Sequence, residues 1–452
     1  MLTKQNWAHP TENLHGEIKM SVNKDLICPD RSLTQQHSAT RLIVATTIGN
    51  ALEFFDLTVF SFFAVLIGKL YFPAHSESTQ LLLAVATFGV GFVTRPLGGI
   101  VLGIFADRYG RVLAMKLTFL LMALGTGLIA IMPTYEQIGV VAPIMIVIAR
   151  LLQGFSAGGE VGASTALLAE QAPRAQRGFY TSWQFASQGG AAMVGALVGA
   201  WLTHSLSPAE LASWGWRIPF LVGMLIAPVG IFLRSQLAEE PIPATPLPRG
   251  TNPLWLVLKS YPKSALISFS LVVGGTATHF IVLYYMSTYA IKVLHLPMSA
   301  SLLSGSIAGM LMLVLSPLSG MLSDRYGRKP IVQSSRLALT VLIYPCFVLL
   351  HNHPDLLTLL LVISLLSALH AVNAGASGPL LAEIFPKEAR ATGMSLAYAL
   401  AVAIFGGFAQ FIVTWLIDRT GSLNSPAWYV IGCGLLAFVA AMFVTDRANQ
   451  DI

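Results

Sequence analysis

Gly103-Ile-Phe-Ala-Asp107-Arg108-Tyr-Gly110-Arg111 has a counterpart 217 positions later, Gly320-Met-Leu-Ser-Asp324-Arg325-Tyr-Gly327-Arg328. A second pair of segments, 170–177 and 383–390, matches at glutamate, proline and arginine with an offset of 213. All four segments directly follow long apolar runs. Two motif pairs with nearly equal offsets at equivalent places indicate that the chain consists of two similar halves, related as parallel repeats.

Apolar runs dominate the rest of the sequence. Of the 452 residues, 55% are hydrophobic and only 11% are charged, with a mean hydropathy of +0.69, whereas soluble domains contain about 25% charged residues. A helix that crosses a bilayer needs roughly 20 mostly apolar residues. The sequence therefore predicts an all-α membrane protein with twelve transmembrane helices in two six-helix pseudo-repeats. The predicted spans, numbered 1 to 12, are 42–70, 80–104, 113–132, 139–167, 178–205, 216–234, 264–291, 299–322, 331–350, 355–382, 391–418 and 427–445.

Polar segments mark the predicted domain boundaries. The linker between the halves is rich in proline, which is typical of an irregular connection. The predicted organisation is a cytoplasmic N-terminal tail over 1–40, a six-helix bundle over 41–234, a cytoplasmic linker over 235–263, a second six-helix bundle over 264–446, and a cytoplasmic tail over 447–452.

Lysine and arginine are distributed unequally between the two sides of the predicted bundle. Of the 27 lysines and arginines, 21 lie in the tails and loops on the side of the membrane where the N-terminus lies, with Arg336 among them. Four lie on the other side. Because loops rich in these residues stay in the cytoplasm, both termini are predicted to be cytoplasmic in a multi-pass protein of a bacterial cytoplasmic (inner) membrane. Residues 1–40 lack the apolar core of a signal peptide, so none is expected.

Several classes of function are excluded by what the sequence lacks. The net charge of +6 is spread over short loops and does not form one basic face, so nucleic acid is not an expected partner. Cys28, Cys346 and Cys433 are too scattered for a disulfide framework or a zinc site. Neither a phosphate-binding loop nor a nucleophile elbow is present. We therefore expect no enzyme activity, no metal, and no cofactor other than coupling protons.

Buried charges identify a candidate site in the first half. A charge at the centre of a bilayer costs about 2.5–3.5 kcal/mol on insertion scales, so each one indicates a function or a partner. At about 1.5 Å per residue, Glu53 and Arg95 lie roughly 18 Å from the cytoplasmic edge and Glu160 roughly 15 Å. The three are predicted to meet near the middle of the membrane. Arg150 lies nearer the outer side and is interpreted as structural, and no buried formal charge is expected in the second half.

The chemistry of these groups favours proton-coupled binding of an acid. Arg95 presents a planar fork that suits a carboxylate. Asp56 shares a helix face with Glu53, and two close carboxylates resist joint ionisation, so the predicted proton-coupling residues are Glu53, Asp56 and Glu160. A static ion network that only holds the helices together is the alternative. For His279 and His370 in the second half, the alternative is a satisfied core histidine.

The repeated loops contain charged residues that are suited to a gate. Asp107 with Arg111, and Glu170 with Arg177, are predicted to form pairs that hold one conformation and break in the other, with a purely structural role as the alternative. The predicted gating residues are Asp107, Arg108, Arg111, Glu170, Arg177, Asp324, Arg325, Arg328, Glu383 and Arg390.

Several motifs resemble the metabolite:H+ symporter family of the major facilitator superfamily. They are 49–56 (GNALEFFD), 91–99 (GFVTRPLGG), 150–160 (RLLQGFSAGGE), 214–220 (WGWRIPF) and 383–393 (EIFPKEARATG). The resemblance implies the major facilitator fold and a substrate such as citrate, 2-oxoglutarate, shikimate, a dicarboxylate, proline or betaine. The segment 178–188 (GFYTSWQFASQ) is most similar to that of citrate and tricarballylate carriers, although Phe54 and Phe55 stand where many members have Trp and Tyr.

Residues and resemblance together predict a secondary active transporter that moves a citrate-like tri- or dicarboxylate with protons by alternating access. The alternatives are a proline/betaine-type zwitterion symporter, a metabolite or drug exporter, and a membrane sensor that transports nothing. The expected partners are a small carboxylate, protons and the lipid bilayer, with the chain as a monomer. The predicted substrate-binding residues are Arg95, Glu53, Asp56, Gln153, Trp183, Gln184, Gln188, His279, Tyr284, Asn373 and Tyr398.

Overall fold

The structure, a computed structural model, describes residues 31–109, 111–158, 160–224, 228, 253–387 and 389–447. The predicted N-terminal tail up to residue 30, most of the linker, the end of span 6 and the C-terminal residues 448–452 lie outside the described residues. Residues Arg41–Ile452 form one compact unit. In the unit Met1–Thr40 the described residues, from Arg31 onward, are helical.

The described residues fold mainly into helices, as the apolar runs predict. The α-helices are Arg31–Phe62, Ala64–Tyr71, Glu77–Val93, Arg95–Tyr109, Arg111–Ile131, Tyr135–Ile138, Val141–Ser156, Glu160–Gln171, Arg177–Ser205, Pro208–Ser213, Pro253–Ser260, Pro262–His279, Met286–Lys292, Met298–Tyr326, Arg328–Asn352, Leu356–Ile384, Arg390–Ala401, Ala409–Thr420 and Ser425–Met442. Short 3₁₀ turns cover Arg174–Gln176 and Gly215–Arg217, and π-helical segments cover Phe280–Tyr285 and Val402–Gly407.

Ten helical stretches of the described chain are long and apolar enough to cross a membrane, and Lys116–Ile131 is a shorter apolar helix at the position of span 3. Span 6 falls partly outside the described residues. The all-α membrane architecture predicted from the sequence is therefore confirmed.

The helix boundaries differ from the predicted spans at both ends and in the middle. The first helix begins at Arg31 and the seventh span begins at Pro262, so the ends of the predicted tail and linker are helical. Spans 1, 2 and 4 are each interrupted, at Phe63, at Thr94 and between Ser156 and Glu160. A continuous apolar run contains no signal for such breaks, because lipid-facing composition is the same on either side of them.

Glycines allow spans 2 and 4 to cross closely. A Cβ atom at Gly98 would meet the carbonyl oxygen of Phe155, and one at Gly154 would meet the carbonyl oxygen of Gly91. Small residues at helix interfaces let two backbones approach in this way. The crossing brings the start of the Arg95 helix against the helix that carries Arg150.

An ion-pair cluster connects the two halves at the end of the bundle opposite to Arg328. The Glu77 carboxylate pairs with Lys69 Nζ at 3.1 Å within the first half and with Lys292 of the second half. The Glu77 side chain is 64% exposed. The halves are therefore joined at this end by a contact that faces solvent.

Candidate functional site

The centre of the first half contains a buried ion pair. Arg95 Nη2 lies 2.5 Å from Glu53 Oε1, and both side chains are at most 4% exposed. The Arg95 guanidinium also stacks over the Phe92 ring, 4.2 Å from its centroid. Arg95 Nε has no hydrogen-bond partner. Glu53 and Arg95, two of the three charges predicted to meet, are thus in contact, and the guanidinium keeps a donor that a bound group can use.

A hydrogen-bonded chain leads from Asp56 to Arg150. The Asp56 carboxylate accepts from the Thr126 hydroxyl, which in turn accepts from Gln153 Nε2 at 2.9 Å. Gln153 Oε1 accepts from Arg150 Nη1 at 2.7 Å. The second oxygen of Asp56, and Nε and Nη2 of Arg150, lack hydrogen-bond partners. The Asp56 carboxylate and the Arg150 guanidinium are thus connected through the neutral side chains of Thr126 and Gln153.

Two small cavities adjoin these groups. One encloses about 250 Å³ and is lined by the side chains of both buried pairs, Glu53 with Arg95 and Asp56 with Arg150. The other encloses about 380 Å³ and places Glu160 with Glu53 and Asp56. Arg150, which was expected nearer the outer side, lines the same cavity as Glu53 and Asp56 and is hydrogen-bonded to Gln153; its predicted structural role stays a prediction.

Span 5 contributes amide groups that contact span 1. Asn50 Nδ2 donates to the carbonyl oxygen of Gln184 at 2.9 Å and to the Ser187 hydroxyl at 2.7 Å, and Gln188 Nε2 donates to Asn50 Oδ1 at 3.4 Å. The side-chain amide of Gln184 and the indole N–H of Trp183 are buried without hydrogen-bond partners. Unused donors and acceptors next to the Glu53 helix fit a polar ligand.

The second half has its own cavity, which the predicted residues line. Its empty volume, which includes space open to solvent, is about 600 Å³. His279 Nδ1 and His370 Nε2 share a hydrogen bond of 3.1 Å. The lining residues of both halves include Phe185, Gln188, Gly275, His279, Phe280, His370, Asn373 and Tyr398.

Arg336 contradicts the expectation that the second half has no buried formal charge. It lies inside the helix Arg328–Asn352, is 2% exposed, and is not a residue of the inner loop. Its Nη1 donates to the carbonyl oxygen of Gly274 and to the Thr278 hydroxyl, each at 2.9 Å. Its Nη2 donates to Asn373 Oδ1. Arg336 was assigned to the loop because it follows the basic segment 325–329 closely in the sequence.

Aromatic rings separate the two sites. The Phe92 ring under Arg95 contacts the Phe280 ring at a centroid distance of 5.3 Å and at 90°. Phe280 in turn contacts His279 at 5.6 Å, and Tyr284 lies 5.5 Å from the same histidine. The acid–base cluster of the first half and the cavity of the second half therefore lie on opposite sides of one pair of rings.

Several of the predicted gating residues form contacts between the halves, at the helix ends that carry the repeated motifs. The Asp324 carboxylate accepts from the backbone N–H groups of Gly178 at 2.8 Å and Phe179 at 3.0 Å. Arg390 Nη1 lies 3.1 Å from Glu170 Oε1. Glu170 thus pairs with the matching motif of the other half, a partner that the sequence did not indicate.

A second ion-pair group lies within the C-terminal half. Arg328 Nη2 lies 3.0 Å from Asp324 Oδ1, and Arg328 Nε lies 3.3 Å from Glu383 Oε1. Arg177 is buried and Arg325 is exposed. The side chains of Asp107, Arg108 and Arg111 lie outside the described part of the chain.

Sequence reasoning missed three residues of these sites. Asn50 lies in a motif in which only the acidic residues were considered. No sequence pattern identified Thr126 or Arg336 as site residues. Their positions depend on how helices pack, which a single sequence does not report.

Comparisons with known proteins agree with this arrangement. The sequence model of the Major Facilitator Superfamily matches residues 46–401. The citrate-proton symporter of Klebsiella pneumoniae is 40% identical over 399 residues, which cover 87% of this chain and 90% of that protein. The proline/betaine transporter of Escherichia coli K12 is 30% identical over 448 residues, which cover 96% and 89%.

The fold is similar to that of the partially occluded, inward-open xylose transporter from Escherichia coli, with a TM-score of 0.72 and 19% identity, covering 92% of this chain and 99% of that one. The predicted major facilitator fold is confirmed by this likeness together with the matching sequence model. The chain belongs to the major facilitator superfamily.

Proposed function

We propose that this chain is a secondary active transporter that carries a citrate-like tri- or dicarboxylate together with protons by alternating access. The observation that carries the proposal is the buried pair of Glu53 and Arg95, because Glu53 is a carboxylate that a substrate carboxylate can replace. The 40% identical relative, which is named a citrate-proton symporter, supports the same substrate class.

The proposed cycle uses exchange of partners at Arg95. A substrate carboxylate takes the fork of the guanidinium, since a planar Arg binds two oxygens at once. Glu53 then loses its counter-charge, and a proton on the acids Glu53, Asp56 or Glu160 keeps the site close to neutral. A loaded site with little net charge crosses the apolar barrier at lower cost than a charged one. No cofactor is needed besides the coupling protons.

A zwitterion such as proline or betaine is the second candidate substrate. The 30% identical relative named a proline/betaine transporter favours it. Glu53 or Asp56 would then face the ammonium group, and aromatic faces near the site would contact it. Such a substrate carries only one carboxylate, so it would bind one arginine and not two.

Uptake into proteoliposomes tests the proposal. With the lumen alkaline, we expect labelled citrate to accumulate above its external concentration, and glycine betaine to accumulate much less. Counterflow at equal pH on both sides measures binding and exchange without the driving force. A protein that catalyses neither counterflow nor uptake of any acid is not a transporter of this class, and accumulation of betaine alone would favour the second candidate.

The placement in the membrane is part of the same proposal. The two bundles, 41–234 and 264–446, are joined by a cytoplasmic linker in a monomer of a bacterial inner membrane, with both termini in the cytoplasm. In a variant whose native cysteines are replaced by serine, we expect Glu136→Cys to react with an impermeant maleimide on intact cells. Arg249→Cys, in the linker outside the described residues, should react only after permeabilisation, and the reverse pattern would invert the proposed orientation.

A further inference from the structure

We propose that Arg336 is a second carboxylate anchor, which binds another carboxylate of the same substrate from the cavity of the C-terminal half. The inference rests on the proposed function and narrows it to acids with at least two carboxylates. Arg336 is buried inside a membrane-spanning helix, and no ion-pair partner of it is found among the described residues. Burying a cation inside the membrane without a counter-charge costs free energy, so such a residue indicates a functional site.

The guanidinium keeps donors for a ligand. Two of its contacts go to the neutral oxygens of Gly274 and Thr278, through Nη1. Nη2 donates to the Asn373 amide oxygen, and Nε has no hydrogen-bond partner. Nε and Nη2 form one edge of the fork, which is the edge that binds a carboxylate with two parallel hydrogen bonds. Asn373 therefore occupies, with a neutral oxygen, a place suited to an anionic one.

Gly275 opens this edge to the cavity. Gly275 and Asn373 both line the 600 Å³ cavity. A Cβ atom added at Gly275 would have only Arg336 Nη2 within 4 Å, at 3.9 Å. The missing side chain thus leaves a path from the cavity to the guanidinium, and a larger residue at this position would cover Nη2 without displacing it.

The two arginines are placed for one ligand. The Gly274 contact of Arg336 lies 12 residues from the start of its helix at Pro262, roughly 18 Å along the axis, which equals the depth expected for Arg95. The Phe92 ring lies against Arg95 and contacts the Phe280 ring, which lines the cavity. A polycarboxylate that displaces these rings can place one carboxylate on each arginine, and so hold the two halves together. A zwitterion with one carboxylate cannot.

The test compares two ligands that differ in one carboxylate only. Glutarate and its monoamide have the same length, and the dissociation constant of each is measured by titration calorimetry on purified protein. We expect the wild type to bind glutarate at least about 10-fold more tightly than the monoamide, because Nη2 exchanges its bond to Asn373 and only the Nε bond is added. Gly275→Val and Arg336→Gln should each bring this ratio close to 1. The double variant should show the same ratio as either single variant, because both substitutions remove the same contact between the ligand and Arg336.

Gly432→Val is the matched control. Gly432 lies in span 12, where an added Cβ atom would have no neighbour within 4 Å, so this variant should keep the wild-type ratio. A wild-type ratio close to 1 would overturn the inference, and so would a wild-type ratio in Gly275→Val, which would leave Arg336 a purely structural role. Neither result affects citrate counterflow by the wild type. Loss of that counterflow would instead reject the proposed function itself.

Discussion

Replacing Arg95 by alanine is expected to reduce citrate binding by at least about 100-fold. A carboxylate on the fork of an arginine makes two charge-assisted hydrogen bonds, each worth about 1.5–3 kcal/mol, and every 1.4 kcal/mol is tenfold in affinity. Arg95→Lys keeps the charge and loses the fork, so it should bind more weakly than the wild type and more tightly than alanine. The measurement is the dissociation constant for citrate on purified protein.

Folding must be separated from binding in this experiment. Arg95→Ala leaves the Glu53 carboxylate buried without its partner, which costs about 3–5 kcal/mol in other proteins. The double variant Arg95→Ala/Glu53→Gln removes that lone charge, and we expect it to fold while still failing to bind. Arg419→Ala, at an exposed position, serves as the control for loss of an arginine. Citrate binding of wild-type strength in the double variant would exclude Arg95 from the binding site.

Asp56→Asn is expected to abolish accumulation driven by a pH gradient while citrate counterflow continues. Asp56 is hydrogen-bonded to the neutral Thr126 hydroxyl, whereas Glu53 forms an ion pair with Arg95. A carboxylate with no ion-pair partner in the described structure is free to take up and release a proton without breaking a salt bridge. Asparagine keeps the shape and the Thr126 contact but binds no proton, so transport becomes exchange only.

Parallel variants distinguish the three acids. Glu53→Gln should weaken both accumulation and counterflow, because it also removes the partner of Arg95. Glu160→Gln provides the comparison for an acid of the same cavity. If Asp56→Asn, Glu53→Gln and Glu160→Gln all accumulated citrate like the wild type, the proton site would lie elsewhere and the acids would be a structural network.

Much of this architecture follows from the sequence because it is repeated or periodic. Apolar runs of membrane length and the paired motifs around Asp107 and Asp324 predicted the fold. The cost of burying charge and the estimated depths predicted that Glu53, Arg95 and Glu160 meet. Properties that act along the chain, such as hydropathy and spacing, are visible in one sequence.

What depends on contact between distant helices was not predictable. Arg336 looked like one more residue of a basic loop, and only the packing of spans 7, 9 and 10 shows it bonded to Gly274 and Asn373. Arg150 was placed by the position of its backbone, although its side chain is hydrogen-bonded to Gln153 and lines one cavity with Glu53 and Asp56. Glu170 pairs with Arg390 of the other repeat, 220 positions away.

The exposure of Glu77 gives the two ends of the molecule a different sensitivity to dissolved salt. Its side chain is 64% exposed and that of Lys292 is 23% exposed, so dissolved ions reach this pair and weaken it as the ionic strength rises. Arg328 and Glu383, at the other end, are at most 1% exposed and are shielded from these ions. In the proposed orientation, we therefore expect a rise in the salt concentration of the medium to weaken the outer contact of Glu77 more than the buried contact of Arg328 with Glu383.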